Sequence, residues 1–334
     1  MPWPCVWCLV VVLALLPACG GPDKGSGQTS SETIRIGFLV KQPEEPWFQN
    51  EWKFAQQAAD AHSATLVKIG TTDAEKVLAA IDNLAAQGVQ GFIICTPDVR
   101  LGPAIVAKAK VHGMRVMSVD DQFVGPDGAF MDVPHMGIAA REIGRIVGRA
   151  LDEEMRKRGW PAEETAALAV TFQELDTARE RTDGAAEGLA AAGFPRSRIH
   201  AAPQKTSDVP GAFDAANVAL AQHAGVKKWL VFGMNDEAVL GAVRALEGRG
   251  LGAESVIGVG IGGDTGLVDF RKETLTGFFA AVVISPKRHG YETVEHMYRW
   301  IKDGIAPPRL TFTAGTLVTR ETYEKVMREE GRLD

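Results

Sequence analysis

From Ile34 onward the chain repeats one unit: a short, largely apolar run, a polar junction, and then a stretch with helical periodicity. The apolar runs are IRIGFLV, TLVKI, GFIICT, MRVMSVD, AALAVTF, KKWLVFG, VIGVGI and GFFAAVVI. Continuous apolar runs of this length suit strands buried on both faces rather than strands with one wet face. Between them, AEKVLAAIDNLAAQG sets Val77, Leu78, Ile81, Leu84 and Ala85 on one stripe, the spacing of a helix packed on a sheet. Gly88 then supplies a helix stop. Strand–helix alternation means parallel sheets with helices on both faces. Eight such units are many for a single core, so the expected fold is α/β, with two doubly wound, Rossmann-like lobes.

Polar residues gather beyond the strand ends. Lys41 follows the first run, Thr96 follows GFIIC, and Asp120 and Asp121 close MRVMSVDD. In the later units Glu174, Asn235 and a glycine run take the same place. Ligands of open α/β sheets bind outside the carboxyl ends of the strands, so two lobes facing each other by those ends would enclose one cleft. The loop KQPEEPW, with Lys41, Glu44, Glu45 and Trp47, follows the first of those strand ends.

Residues 5 to 16, CVWCLVVVLALL, are long enough for a signal-peptide core and short for a membrane span. The run ends in LPAC, and GGPDKGSGQTSSE follows. LPAC resembles a bacterial lipobox, with Cys19 as the acylated first residue of the mature chain. Pro17 and the absence of Lys or Arg from MPWPC depart from that pattern, and an ordinary signal peptide cut nearby is the alternative. Residues 1–19 are thus expected to be a leader and 20–32 a flexible tether of about 20 Å. Cys95 is the single cysteine of the body, so no disulfide is expected there. The C-x-x-C of Cys5 and Cys8 lies inside the apolar leader and is not read as a redox motif.

The net charge of −6 argues against a nucleic-acid partner. Gly258, Gly260 and Gly263 fit a G-x-G-x-x-G dinucleotide pattern, but no acidic residue closes the next strand, GFFAAVVI. The sequence has no G-x-S-x-G, H-E-x-x-H or P-loop, and its seven histidines lack ligand spacing. Glu45 and Asp120 would make a glycosidase-like pair. With Lys41 and Arg181 nearby, both are expected to stay ionised, which leaves no general acid. We therefore expect a binding protein rather than an enzyme, with no cofactor and no metal.

GFLVKQPEEPWFQ, GFIICTPD, VDDQFV, ELDTARERTDG, KTSDVPGAFDAAN and VFGMNDEAVLG together resemble the periplasmic type I sugar-binding proteins of ABC importers, with the motifs in order from about Ile34 to the C-terminus. The resemblance implies two Rossmann-like lobes joined by three crossovers. One lobe would comprise 33–139 plus 285–312, and the other 140–284 plus 313–334. It implies a monosaccharide ligand, L-arabinose or a related pentose or hexose, delivered by hinge closure to an ABC importer permease. A periplasmic, lipid-anchored monomer is expected. A transcriptional repressor on the same fold would need a helix-turn-helix where the leader and tether stand.

The resemblance also assigns roles. Lys41 and Glu45 bond sugar hydroxyls, and Trp47 and Phe48 form the aromatic wall, although an aromatic at a helix start is often a core staple. Of Asp120 and Asp121, one faces the sugar while the other orients Lys41 or Arg181; Asp121 also suits a cap. Arg181 grips two oxygens, Leu175 and Thr177 lie beside the ligand, and Asn235, next to Met234, contacts adjacent hydroxyls or caps a helix. Cys95 is expected to be a buried small hydrophobe. Two positions depart from the family pattern: Ile138 stands where the family has Met, and Gly262 where it has Asn. The ligand class survives these changes, whereas its identity is expected to move away from L-arabinose.

Overall fold

The run from Arg35 to Val40 becomes strand β1, and every residue in it after Arg35 is buried. The computed structural model describes residues 33–333, so the leader, Cys19 and the tether lie outside the described residues. After β1 come α1 (Pro46–Ala61), β2 (Thr65–Gly70), α2 (Ala74–Ala86), β3 (Gly91–Ile94), α3 (Gly102–Val111), β4 (Arg115–Asp120) and β5 (His135–Ile138). The second half begins with α4 (Ala140–Lys157), β6 (Thr165–Thr171), α5 (Asp176–Ala191), β7 (Ile199–Pro203) and α6 (Val209–Ala221). It continues through β8 (Lys228–Gly233), α7 (Asp236–Glu247), β9 (Val256–Gly262), α8 (Leu267–Phe270) and β10 (Phe278–Ile284). The chain finishes with α9 (Thr293–Asp303), β11 (Leu310–Thr313), β12 (Gly315–Thr319) and α10 (Tyr323–Glu329).

Two six-stranded sheets result, with orders β11-β5-β4-β3-β1-β2 and β12-β10-β9-β8-β6-β7. All pairs are parallel except β10 with β12. Each sheet has a switch point, at β1 in the first and β6 in the second, where successive connections leave in opposite directions. The chain passes between the sheets three times: through Ala139 into α4, from β10 into the π-type turn Arg288–Glu292 that leads to α9, and through Ala314 between β11 and β12.

Strand alternation sends side chains to both faces of each sheet. In the first lobe Ile36, Phe38 and Val40 pack with Phe48 and Ala55 of α1 and Val294 and Met297 of α9. Leu39 faces the other way, toward Val77, Ile81 and Leu84 of α2. That is the stripe expected from the sequence, capped by Asp73 and stopped near Gly88, whose φ is +71°. Burying each such Leu or Ile contributes about 1.5–3 kcal/mol. In the second lobe, Leu168 and Val231 pack with α6 and α7 on one face, while Ala167 and Leu230 meet α4 and α5 on the other.

The α4–α5 contact is backbone on backbone. A Cβ on Gly144 would lie 2.1 Å from the Arg181 carbonyl oxygen, and one on Gly184 would lie 2.1 Å from that of Arg141. Only glycine permits this approach, and it pins the helix that carries Thr177 and Arg181. All eight strands expected from the apolar runs form. Four more, β5, β7, β11 and β12, were not anticipated. Each has four or five residues, and β7, β11 and β12 are edge strands with partly exposed faces, so their apolar signal is weak.

Candidate functional site

Lys41 is the first residue past β1, and its position beside the end of β4 decides its chemistry. Its Nζ lies 2.5 Å from Asp121 Oδ2, with the two side chains 17% and 5% exposed. Burial pulls the ammonium down, but the neighbouring carboxylates, Asp121 foremost, reverse this, and its pKa ends above the ordinary lysine value. Asp121 Oδ1 accepts from Thr177 Oγ1 at 3.1 Å, which joins the first lobe to the start of α5 in the second. The buried Cys95 thiol points at Asp121 Oδ2 at 3.7 Å, and burial raises its pKa well above the usual thiol value. It is a small, fully buried core group, as expected, with its thiol set against a carboxylate.

Asp120 adopts a φ of +63°, and the Asp121 amide donates to the Val119 carbonyl at 2.7 Å, a tight turn with Asp120 at its centre. A non-glycine residue in this region is strained by about 1–3 kcal/mol and needs partners to hold it. Asp120 has them. Its Oδ1 pairs with His289 Nδ1 at 2.7 Å and its Oδ2 accepts from Trp47 Nε1 at 3.1 Å. Burial pushes its pKa up, but the bond and charge of His289 together with Trp47 and Lys41 outweigh that, and the net shift is down. Asp121 thus bonds Lys41, while Asp120 is held by His289 and Trp47.

His289 was missed by sequence reasoning. It sits in the turn between β10 and α9, 169 residues from Asp120, and its Nε2 meets Thr313 Oγ1 at 2.8 Å at the end of β11. It therefore ties two of the three lobe-joining segments to a cleft carboxylate. Glu51 of α1 was missed as well. It is fully buried, and burial followed by the charge of Asp120 raises its pKa well above the ordinary glutamate value. One oxygen or nitrogen each from Glu51, Asp120 and His289 lies within 4.8 Å of the others, close enough to hold a cation. Both His289 nitrogens are already engaged with Asp120 and Thr313, while the two Glu51 oxygens are buried with no hydrogen-bond partner among the described residues.

Glu45 stands at the N-cap position of α1 and is half-buried. Burial and the charge of Glu237 on the second lobe raise its pKa, against the pull of Lys41. Trp47 touches the core of each lobe and meets His289 edge-on at 5.3 Å. Phe48, only 3% exposed, packs in the first-lobe core. Ile138 ends β5 and packs with the second-lobe core.

On the second lobe, Leu175 precedes α5 at its N-cap position. Arg181 Nη1 donates to the Met234 carbonyl at 2.7 Å, and its Nε is buried with no partner among the described residues. Burial lowers its pKa, opposed by the nearby Asp121, Asp120 and Glu237. Asn235 caps α7: its Oδ1 accepts from the Ala238 amide at 2.9 Å and its Nδ2 donates to the Ser207 carbonyl at 3.2 Å. Gly262 ends β9 at a φ of +122°, and a Cβ there would meet only Asp236 Oδ2, at 3.9 Å. Sequence reasoning also missed Asp236, next to Asn235. It is buried, and its Oδ2 accepts from the Gly263 and Gly266 amides at 2.9 and 2.8 Å.

The assembled site is thus a set of buried and half-buried polar groups at the carboxyl ends of two facing sheets, with both signs of charge, an amide and no excess of cations. Such a lining matches a neutral, polyhydroxylated ligand better than a phosphate. Comparison with known proteins agrees in kind. Residues 33–324 match the family described as periplasmic binding proteins and sugar binding domain of LacI family. The chain is 49% identical over 318 residues to the L-arabinose-binding periplasmic protein of Escherichia coli (strain K12), covering 95% of this chain and 97% of that one. It is 48% identical to an ABC transporter L-arabinose-binding periplasmic protein of Azospirillum brasilense, covering 95% and 96%. Its fold is similar to that of a periplasmic solute binding protein from Actinobacillus succinogenes solved with D-allose, at a TM-score of 0.76 and 18% identity, covering 88% of this chain and 100% of that one. The chain belongs to the family of periplasmic binding proteins and LacI-type sugar-binding domains.

Proposed function

We propose that this protein binds one monosaccharide, L-arabinose or a related pentose or hexose, between its lobes and delivers it to an ABC importer. The observation that carries the reading is Asp121: a buried carboxylate of the first lobe that bonds Lys41 on its own lobe and Thr177 on the other. A ligand whose hydroxyls engage that group and Arg181 stabilises the closed arrangement of the lobes, which is how a hinged binding protein couples occupancy to shape. Near-half identity to two proteins named for L-arabinose supports the ligand class. The lobes of the proposal are 33–139 with 285–312, and 140–284 with 313–334. Lys41, Glu45, Trp47, Asp120, Asp121, Thr177 and Arg181 are the proposed contacts. Phe48, Ile138, Leu175, Met234, Asn235 and Gly262 shape the surface around them. The role is transport rather than catalysis, played outside the cytoplasm by a monomer held to a membrane through an acylated Cys19.

A thermal-shift screen of residues 33–334 against pentoses and hexoses tests the ligand. A rise in melting temperature with one or a few of these sugars is expected, and no response to any of them would contradict the reading. For the anchor, Cys19→Ala should release the protein from membranes of an expressing bacterium. A mature N-terminus that starts at an unmodified residue other than Cys19 would overturn it.

A further inference from the structure

The C-terminal segment after α10 carries a buried cation that the site described above does not use. The Arg332 side chain is 1% exposed. It donates to the Ile284 carbonyl at 3.1 Å and the Gly262 carbonyl at 3.1 Å, and it pairs with the Asp264 carboxylate. Ile284 ends β10, where the chain leaves for the first lobe, and Gly262 opens the turn beyond β9. One guanidinium therefore ties a lobe-joining segment to a cleft-edge turn, with the planar fork that suits several acceptors at once. Asp236 grips the same turn from the other side through the Gly263 and Gly266 amides. A turn that starts from a glycine at φ +122° has little local preference of its own, so these two side chains set its shape.

Asp264 also faces the opposite lobe. It accepts from Asn50 Nδ2 of α1 at 3.4 Å, the long end of the hydrogen-bond range. Beside this contact Lys53 Nζ, also on α1, donates to the Gly331 carbonyl at 3.0 Å. The segment thus touches the first lobe while its arginine holds the second.

We propose that Arg332 is a positioning residue of the binding cleft: it fixes the 262–264 turn and, through Asp264, presents a latch to Asn50 on the facing lobe. The proposal rests on the monosaccharide-binding reading and assigns the C-terminal segment a part in closure. If Arg332 merely anchored the chain end, its loss would lower stability and leave ligand release alone.

A double-mutant cycle of Asn50→Ala and Asp264→Ala separates these cases, read as the release rate of whichever monosaccharide binds the parent and as the melting temperature without sugar. Asn50→Ala, at a half-buried position on α1, should speed release about threefold with an unchanged sugar-free melt, and the double variant should release no faster than Asp264→Ala alone. Arg332→Met should weaken binding about tenfold and Arg332→Lys should recover part of it. Independent, additive effects of Asn50→Ala and Asp264→Ala, or release rates equal to the parent's, would overturn the latch. Affinity losses that merely track the sugar-free melt would overturn the positioning role. A parent that binds no monosaccharide removes the functional reading itself, an outcome distinct from both.

Discussion

The two lobes bring polar groups to the same cleft but hold them by different means. On the first lobe they hold one another: Lys41 with Asp121, and Asp120 with Trp47 and His289. On the second they are held by backbone. Arg181 is tied to the Met234 carbonyl, Asn235 to the start of α7, and the Gly262 turn to Asp236 and Arg332. A side-chain network in a dry site is sensitive to charge, since each member is costly once its partner is gone. A group hung on a helix is sensitive to whatever moves that helix. The first lobe is therefore the electrostatic half of the site and the second the packing half.

The largest expected effect breaks the electrostatic half. Asp121→Ala leaves the Lys41 ammonium buried without its main partner, and should cost about 3–5 kcal/mol in urea unfolding. A loss below 1 kcal/mol would mean that Lys41 finds water or another carboxylate, and the contrast between the lobes would weaken. The packing half has a matching test. Gly184→Val drives a side chain into the Arg141 carbonyl, and should cost about 3 kcal/mol while displacing α5 and weakening ligand binding. Unchanged affinity in a folded Gly184→Val protein would show that Arg181 does not depend on the α4–α5 contact.

Acid should act on the first lobe. His135 on β5 is 2% exposed, with Nδ1 against Ser118 Oγ at 2.9 Å, and burial pushes its pKa down to about 4. Its folded pKa lies below its unfolded value near 6.5, so the unfolded chain takes the proton first. Stability is intact above about pH 6.5 and falls by up to about 3 kcal/mol as pH drops to about 4. His135→Gln should flatten that part of the stability–pH curve. A slope that persists in the variant would assign acid sensitivity to other groups.

The smallest expected effect concerns Gly262. A Cβ there has only Asp236 Oδ2 within 4 Å, at 3.9 Å, so an Asn side chain has room. At φ +122° its backbone is strained, however, by about 1–3 kcal/mol, close to what one recovered hydroxyl bond contributes. Gly262→Asn should therefore change affinity by less than about tenfold while altering the order of preference among sugars. An unchanged sugar ranking would remove Gly262 from the determinants of specificity.

Legibility followed the same division. The eight apolar runs announced eight strands, the edge strand β2 among them, and polar residues after them announced the cleft, because both signals are local in sequence. The roles of Asp120 and Asp121 were not local. Their different partners include His289, which lies in a turn with no motif of its own. Asn235 was legible as either a ligand contact or a cap, and the cap geometry is present. Phe48 was legible as wall or staple, and it packs in the core. The short edge strands were lost because four or five half-exposed residues carry no periodicity to detect.

The central claim is that one monosaccharide engages groups from both lobes, with Arg181 as the charged donor of the second. The measurement that tests it most directly is calorimetric titration of the parent and of Arg181→Ala with the sugar that gives the largest thermal shift. One site per chain is expected in the parent, and a loss of about 3–5 kcal/mol in the variant, because the cleft carboxylates remain buried after the cation is gone. A variant that binds within a factor of two of the parent would contradict the account.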